Sequence, residues 1–169
     1  AAIGCLTDDE LMFVLGHELG HVKCGHVFYY WMASSILPLL GNIIGNFTLG
    51  IGNLLSSSIR LALLNWSRNA EFSADRAGLL TCQNFNSSIT TLMKISGAPI
   101  RYYSKLDIES FLNQAREFKL YDSDSLNALL KTVSIATQTH PWTVMRAAYL
   151  EEWINSGAYD LLIDRHKYS

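Results

Sequence analysis

The sequence predicts a mainly α-helical fold, and three observations support this prediction. Several stretches carry helix start and stop signals around apolar residues at helical spacing. No stretch has the alternating pattern of a confident strand. At 169 residues, 49% of them hydrophobic, the chain has the size and the apolar content of one domain with a core. We therefore expect residues 1–169 to form a single domain.

The first helix is predicted to begin near Asp8 and to run through VLGHELGHVKCGH, residues 14–26. Thr7 and Glu10 have the spacing of a capping box, which supports this start. The apolar residues of this helix are spread widely around its axis, so we expect burial on most sides. They are Leu11, Met12, Val14, Leu15, Leu19 and Val22.

A long second helix is predicted over 56–80, which is rich in Ala, Leu and Arg. Further helices are expected over roughly 86–96, 107–119, 124–138 and 141–156. Asp107 and Ser123 suit helix N-caps, Pro141 suits a first helical turn, and Gly157 suits a helix end.

Residues 27–59 form an apolar segment, and no Asp, Glu, Lys or Arg lies between Lys23 and Arg60. One interpretation is a membrane hairpin. The other is a set of short helices and loops that pack on the core or form a sticky surface, because Pro38, serines and Gly/Asn pairs interrupt the run. Both interpretations stay open, so this segment is a candidate for contact with a membrane surface or for self-association.

The overall charge and the cysteines narrow the function classes. A formal net charge of -2 gives no basic field that would attract nucleic acid, so we expect no nucleic-acid partner. The three cysteines are odd in number and widely spaced, which fits reduced thiols better than a disulfide framework. This pattern favours a cytoplasmic or cytoplasm-facing location, with membrane association left open by the apolar segment.

The stretch HELGH predicts half of a metal site. His17 and His21 are four residues apart, so on a helix they lie about 40° apart around the axis and both imidazoles can reach one ion. Glu18 points roughly 100° away from His17, which suits a carboxylate that handles a water molecule better than a third ligand. A catalytic zinc usually has three protein ligands and an open position, so a third ligand must come from elsewhere.

Two neighbours of this motif are not expected to bind the ion. His26 lies five residues beyond His21, which turns it about 140° away on a continuous helix, so we interpret it as structural. A thiolate from Cys24 would close the open position, so we interpret Cys24 as a buried small residue.

The second helix offers the missing ligand. Glu71 and Asp75 are four residues apart on one face, so Glu71 can bind the ion while Asp75 hydrogen-bonds a ligand histidine and fixes its tautomer. The alternative is a solvated charged face on which these carboxylates pair with Arg68 and Arg76.

Small residues predict that the two helices pack closely. Gly16 and Gly20 lie on the first helix, and Ala74 and Gly78 lie on the second. Without bulky side chains between them the two backbones can approach each other, which would bring Glu71 close to the histidines.

Three stretches of the sequence resemble the HtpX and CAAX-prenyl-protease type of gluzincin zinc metallopeptidases, which carry HExxH, ExxxD and HP…R motifs in this order. The stretches are HELGHVKCGH, AEFSADRAG and THPWTVMRAAYL. The match spans residues 7 to about 150. The resemblance implies a helical zincin-like metallopeptidase domain in which the HExxH helix packs on the ExxxD helix. Relatives carry an N-terminal edge strand along the cleft, and we expect this small β element to be truncated or replaced here.

The resemblance also implies roles for individual residues. It implies one zinc ion bound by His17, His21 and Glu71, with Glu18 as catalytic base and Asp75 behind a ligand histidine.

The HP…R motif matches His140 and Arg146. By the resemblance His140 lies close to the zinc, where it takes the place of the water in a resting enzyme or stabilises the oxyanion; the alternative is a polar helix cap. Arg146 either pairs with Asp75 or faces solvent.

The predicted function is that of a zinc-dependent endopeptidase acting on a peptide or protein substrate. The alternative is a latent or inactive zinc-containing relative that acts as an interaction or holdase module through the apolar segment, residues 27–59.

Overall fold

The computed structural model describes residues 3–28, 31, 51–120 and 142–167, and within these ranges it is helical with no strand. The prediction of a mainly α-helical domain is therefore confirmed. The helices are α1 (Asp8–Lys23), α2 (Ile51–Cys82), α3 (Phe85–Ile95), α4 (Ile108–Leu120), α5 (Thr143–Asn155) and α6 (Ala158–Lys167), with short 3₁₀ helices at Ile3–Cys5 and Ile100–Lys105.

The predicted helix boundaries agree closely with those of α3, α4 and α5. Asp107 caps α4 by accepting a hydrogen bond from the Ser110 amide at 3.2 Å. Gly157 ends α5 with a φ of +76°, a conformation that favours glycine. The second helix is longer than predicted at its N-terminal end, where it begins at Ile51. The predicted helix over 124–138 and its start at Ser123 lie outside the described residues, as does Pro141, which was predicted for the first turn of the helix over 141–156.

The start of α1 is held by the predicted capping box. The Glu10 carboxylate accepts a hydrogen bond from the Thr7 amide at 2.8 Å, and the Thr7 hydroxyl accepts one from the Glu10 amide at 3.4 Å. Glu10 also forms an ion pair with Lys94 of α3 at 2.6 Å. The first turn of α1 is thus attached to α3 by a charged contact.

The contact between α1 and α2 is made by small residues, as predicted. A Cβ atom added at Gly20 would lie 2.8 Å from the Ala77 Cβ, and one added at Gly78 would lie 2.7 Å from the Phe13 carbonyl oxygen. Neither distance is sterically tolerable. The two helices therefore approach each other more closely than larger side chains would allow.

The core of the described residues lies where α1 and α2 meet α3, α4 and α5. Its members are apolar side chains that include Phe13, Leu79, Ile89, Leu92, Leu112, Leu150 and Trp153.

The prediction that α1 is buried on most sides is wrong. Leu15, Leu19 and Val22 are 49, 65 and 69% exposed. The buried face of α1 is instead the narrow one that carries Phe13 and the two glycines, because close helix contact needs small residues rather than a broad apolar surface.

The apolar segment, residues 27–59, lies mostly outside the described residues. Val27, Phe28 and Trp31 are exposed at its start. None of the helices in the described ranges has the length and apolar character needed to span a bilayer. Both interpretations of the segment remain predictions.

Candidate metal centre

Three predicted ligand side chains come together where α1 packs on α2. The Nε2 atoms of His17 and His21 are 3.1 Å apart. The Glu71 carboxylate lies 3.6 Å from the Nε2 of His17 and 3.5 Å from that of His21. His17 and His21 share one face of α1, and the close helix contact beside Gly20 brings Glu71 across from α2.

This donor set fits a zinc ion. Two ligands that each lie about 2.0 Å from a tetrahedral ion are about 3.3 Å apart, which is close to the 3.1 Å between the two Nε2 atoms. Each Nε2 also has one Glu71 oxygen nearby, Oε2 for His17 at 3.6 Å and Oε1 for His21 at 3.5 Å. Zinc accepts two imidazole nitrogens and one carboxylate as ligands, and such a set would leave a fourth position for water. The described part of the chain contains one group of potential ligands that are close enough to share an ion, namely His17, His21 and Glu71.

A buried ion pair lies behind His17. Arg146 of α5 donates to both carboxylate oxygens of Asp75, from Nε at 2.8 Å and from Nη2 at 2.6 Å. The Nδ1 of His17 lies 3.0 Å from the Asp75 Oδ1. Because an ionised carboxylate only accepts hydrogen bonds, His17 donates from Nδ1 and keeps the lone pair of Nε2 for the site. Of the two placements left open for Arg146, the structure has the pairing with Asp75.

The ion pair sets the charge states of its own members. Burial alone would raise the pKa of Asp75, but hydrogen bonds from Arg146 and His17 outweigh burial, so this pKa lies below its usual value. Burial alone would lower the pKa of Arg146, but Asp75 and Glu71 raise it. The Arg146 Nη1 lies 3.3 Å from Glu71, so this guanidinium contacts both acidic residues.

The alternative of a solvated charged face on α2 is wrong, because Glu71 and Asp75 are only 6 and 1% exposed. Glu71 lies within ion-pair distance of His17, His21 and Arg146, and Asp75 contacts His17 and Arg146. Arg68 donates to the Asn65 side chain at 3.2 Å.

His26 lies closer to the site than the sequence analysis predicted. The premise of a continuous helix is wrong: α1 ends at Lys23, and Gly25 with a φ of +68° turns the chain back. The His26 Nδ1 is consequently 3.1 Å from the Nδ1 of His21. A glycine two residues after a helical lysine is a helix stop signal, so the turn could have been predicted.

Burial affects both of these histidines. It lowers the pKa of His21, with the neighbouring His17 adding to the effect, and it lowers the pKa of His26. Both rings are therefore biased towards the neutral form, which a metal ligand and a hydrogen-bond acceptor require.

The site opens into a cavity of about 540 Å³. Glu18 lines this cavity together with His17, His21 and Glu71, and it is exposed to solvent. Apolar side chains complete much of the wall, among them Phe13, Val14, Val27, Trp66 and Ile95.

Two further predictions concern residues near the motif. The interpretation of Cys24 as buried is wrong, because it is exposed at the C-cap of α1. His140 lies outside the described residues, so its place near the site stays a prediction.

Comparison with known proteins gives two matches. Residues 2–154 match peptidase family M48. The chain is 35% identical over 164 residues to the plastoglobule-localized metallopeptidase 48, chloroplastic, of Arabidopsis thaliana. That alignment covers 96% of this chain and 46% of the relative, so the chain spans about half of the relative's length. No solved structure matches the chain. From its HExxH and ExxxD helices and the match over nearly its whole length, the chain belongs to peptidase family M48.

Proposed function

We propose that residues 1–169 form the single catalytic domain of a zinc-dependent endopeptidase that hydrolyses peptide bonds in peptide or protein substrates. The observation that carries this proposal is the convergence of the His17 and His21 Nε2 atoms with the Glu71 carboxylate, at separations of 3.1 to 3.6 Å. In this proposal these three residues bind one zinc ion, while Asp75 and Arg146 hold His17 in place. Membership of a peptidase family supports the same reaction class.

Bound zinc would supply a Lewis acid that polarises the scissile carbonyl and acidifies water. Glu18 accepts a proton as water adds to the carbonyl carbon, and it gives a proton to the amine nitrogen as the C–N bond breaks. Its exposure in the cavity that the three ligands also line supports this role. We further propose that His140 acts near the same atoms, as the resemblance implies.

We propose two candidate locations for the protein. The relative is named as plastoglobule-localized and chloroplastic, and we include such a location for this chain as one candidate. The exposed side chains of Val27, Phe28 and Trp31, at the start of the apolar segment, support contact with a membrane surface. The cysteine pattern favours a cytoplasmic or cytoplasm-facing location, and fractionation of the native protein would distinguish these settings.

Replacement of the proposed base tests the reaction. Glu18→Gln removes the proton acceptor and leaves the ligands, so we expect one bound zinc per chain and a loss of peptidase activity of about 10²- to 10⁴-fold. Glu117→Gln is a matched control on an exposed glutamate of α4, outside the cavity lining, and should leave activity unchanged. Zinc content is measured by mass spectrometry and activity with casein and a peptide library. A Glu18→Gln protein that cleaves as fast as the parent would contradict the proposal.

The same assays address the alternative of an inactive interaction module. The exposed apolar residues 27, 28 and 31 are the observation that favours it. A parent protein that binds zinc but cleaves no substrate, with or without detergent and limited proteolysis, would support the module. Activity that emerges only after detergent or proteolysis would instead indicate a latent enzyme.

A further inference from the structure

His21 has a hydrogen-bonding neighbour of its own on the side away from the ligand cluster. The Nδ1 of His26 lies 3.1 Å from the Nδ1 of His21. The Nε2 of His26 lies 3.5 Å from the Ser73 Oγ. Ser73 in turn donates to the Ala70 carbonyl oxygen at 2.9 Å. A chain of contacts thus runs from His21 through His26 to the backbone of α2.

The direction of every bond in this chain follows from its last member. A carbonyl oxygen only accepts, so the Ser73 proton is committed to Ala70 and the Ser73 oxygen faces His26 as an acceptor. A neutral His26 then carries its proton on Nε2 and presents the lone pair of Nδ1 to His21. His21 donates from Nδ1, and its Nε2 lone pair points to the cluster.

The backbone turn after α1 brings His26 into contact with His21. On an uninterrupted helix His26 would lie about 140° around the axis from His21. The turn at Gly25, with a φ of +68°, returns His26 to the face of its neighbour. The Trp66 ring packs edge-on against His26 with the centroids 5.6 Å apart, which restricts rotation of the imidazole.

We propose that His26 is a positioning residue that fixes the tautomer and ring orientation of His21 for metal binding. The role parallels that of Asp75 behind His17, but with a neutral acceptor in place of a carboxylate. Neighbours that orient a ligand histidine commonly contribute about 10- to 100-fold to metal affinity or activity. This inference rests on the proposed function, since it assigns His26 a role through a zinc ligand.

Two substitutions separate positioning from packing. His26→Asn keeps an acceptor at the position of Nδ1, because the Oδ1 of asparagine is bonded to Cγ just as Nδ1 is. His26→Phe keeps an aromatic ring against Trp66 but has no acceptor. Zinc affinity is measured by competition with a chromogenic chelator. The ¹⁵N–¹H spectrum of the zinc-loaded protein reports whether the His21 Nδ1 proton is protected from exchange with water.

We expect His26→Phe to weaken zinc binding about 10- to 100-fold and to lose the protected His21 proton signal. His26→Asn should retain both the signal and an affinity close to that of the parent. If His26→Phe does not fold, as judged by circular dichroism, Ser73→Ala takes its place, because it frees His26 to change tautomer while leaving the ring.

Other outcomes overturn the inference. Parent-like affinity and a retained proton signal in His26→Phe would exclude a positioning role. Equal weakening in His26→Asn and His26→Phe would show that an acceptor at the position of Nδ1 is not what supports zinc binding. A parent protein that binds no zinc would contradict the proposed function itself, which distinguishes that failure from a failure confined to His26.

Discussion

The two proposed histidine ligands differ in what lies behind them. Behind His17 is a charged pair, Asp75 and Arg146, that is almost entirely buried. Behind His21 is a neutral chain through His26 and Ser73 that is only partly buried. Both arrangements direct an Nε2 lone pair to the same point. The site thus orients one histidine with a charged pair and the other with neutral hydrogen bonds.

The charged pair behind His17 depends more on the rest of the fold than the neutral chain behind His21 does. Removing the charged groups of Asp75 and Arg146 from water costs free energy, and their attraction offsets this cost only while both residues are present. Arg146 also comes from α5, so the charged pair needs a third helix in place. The neutral chain needs only the turn after α1 and one face of α2, and a break in it leaves no unpaired buried charge.

The largest expected effect comes from breaking the charged pair. Asp75→Asn removes the carboxylate that accepts two hydrogen bonds from the buried Arg146 and leaves Glu71 as its acidic contact, which should lower the free energy of unfolding by about 3 to 5 kcal/mol. Urea unfolding of the zinc-free protein measures this. Asp160→Asn, at an exposed position of α6, is the control and should change stability by about 0.5 kcal/mol or less. Similar losses in both variants would mean that the charged pair contributes no more to the free energy of unfolding than an exposed carboxylate does.

A smaller effect is expected from the helix contact that both arrangements share. Gly78→Ala would set a Cβ 2.7 Å from the Phe13 carbonyl oxygen, so α1 and α2 must separate. We expect a loss of about 1 to 3 kcal/mol and weaker zinc binding, because Asp75 and Glu71 both reach the histidines of α1 from α2. Thermal unfolding and chelator competition check the two parts. Gly4→Ala, with open space around it, should behave like the parent, and an equal loss there would contradict the packing explanation.

The smallest effect concerns the ion pair that holds the other end of α1. Burial alone would raise the pKa of Glu10, but hydrogen bonds from Lys94 and the Thr7 amide outweigh burial, so this pKa lies below its usual value. Such a carboxyl stabilises the fold above its unfolded-state pKa, and this stability is lost as the pH falls through the lower, folded-state pKa.

We therefore expect the parent to lose stability on acidification below about pH 4.5 more steeply than Glu10→Gln. Urea unfolding at several pH values measures the two slopes. Identical slopes would show that Glu10 contributes nothing to the acid dependence. This variant should leave the zinc affinity at neutral pH unchanged, which separates the anchoring of α1 from the support of its histidines.

Much of the site could be predicted because its parts are local in sequence. The spacing of His17 and His21 determines their shared face on any helix, and the spacing of Glu71 and Asp75 does the same on α2. The small residues at the helix contact correctly predicted a close approach. The capping box at Thr7 likewise depends only on residues within one turn.

The remainder depends on tertiary packing or on a turn. Whether Arg146 meets Asp75 is decided by where α5 packs, which no local pattern encodes. The exposure of Leu19 depends in the same way on which helices flank α1. The placement of His26 follows from the positive φ of Gly25, and a geometry drawn for an unbroken helix could not include it.

The most direct test is a crystal structure of the zinc-soaked protein with anomalous diffraction measured at the zinc edge. We expect one strong peak about 2.0 to 2.2 Å from the Nε2 atoms of His17 and His21 and from a carboxylate oxygen of Glu71. A peak bound by other side chains, such as Cys24, or the absence of a peak at these three residues would contradict the proposed centre.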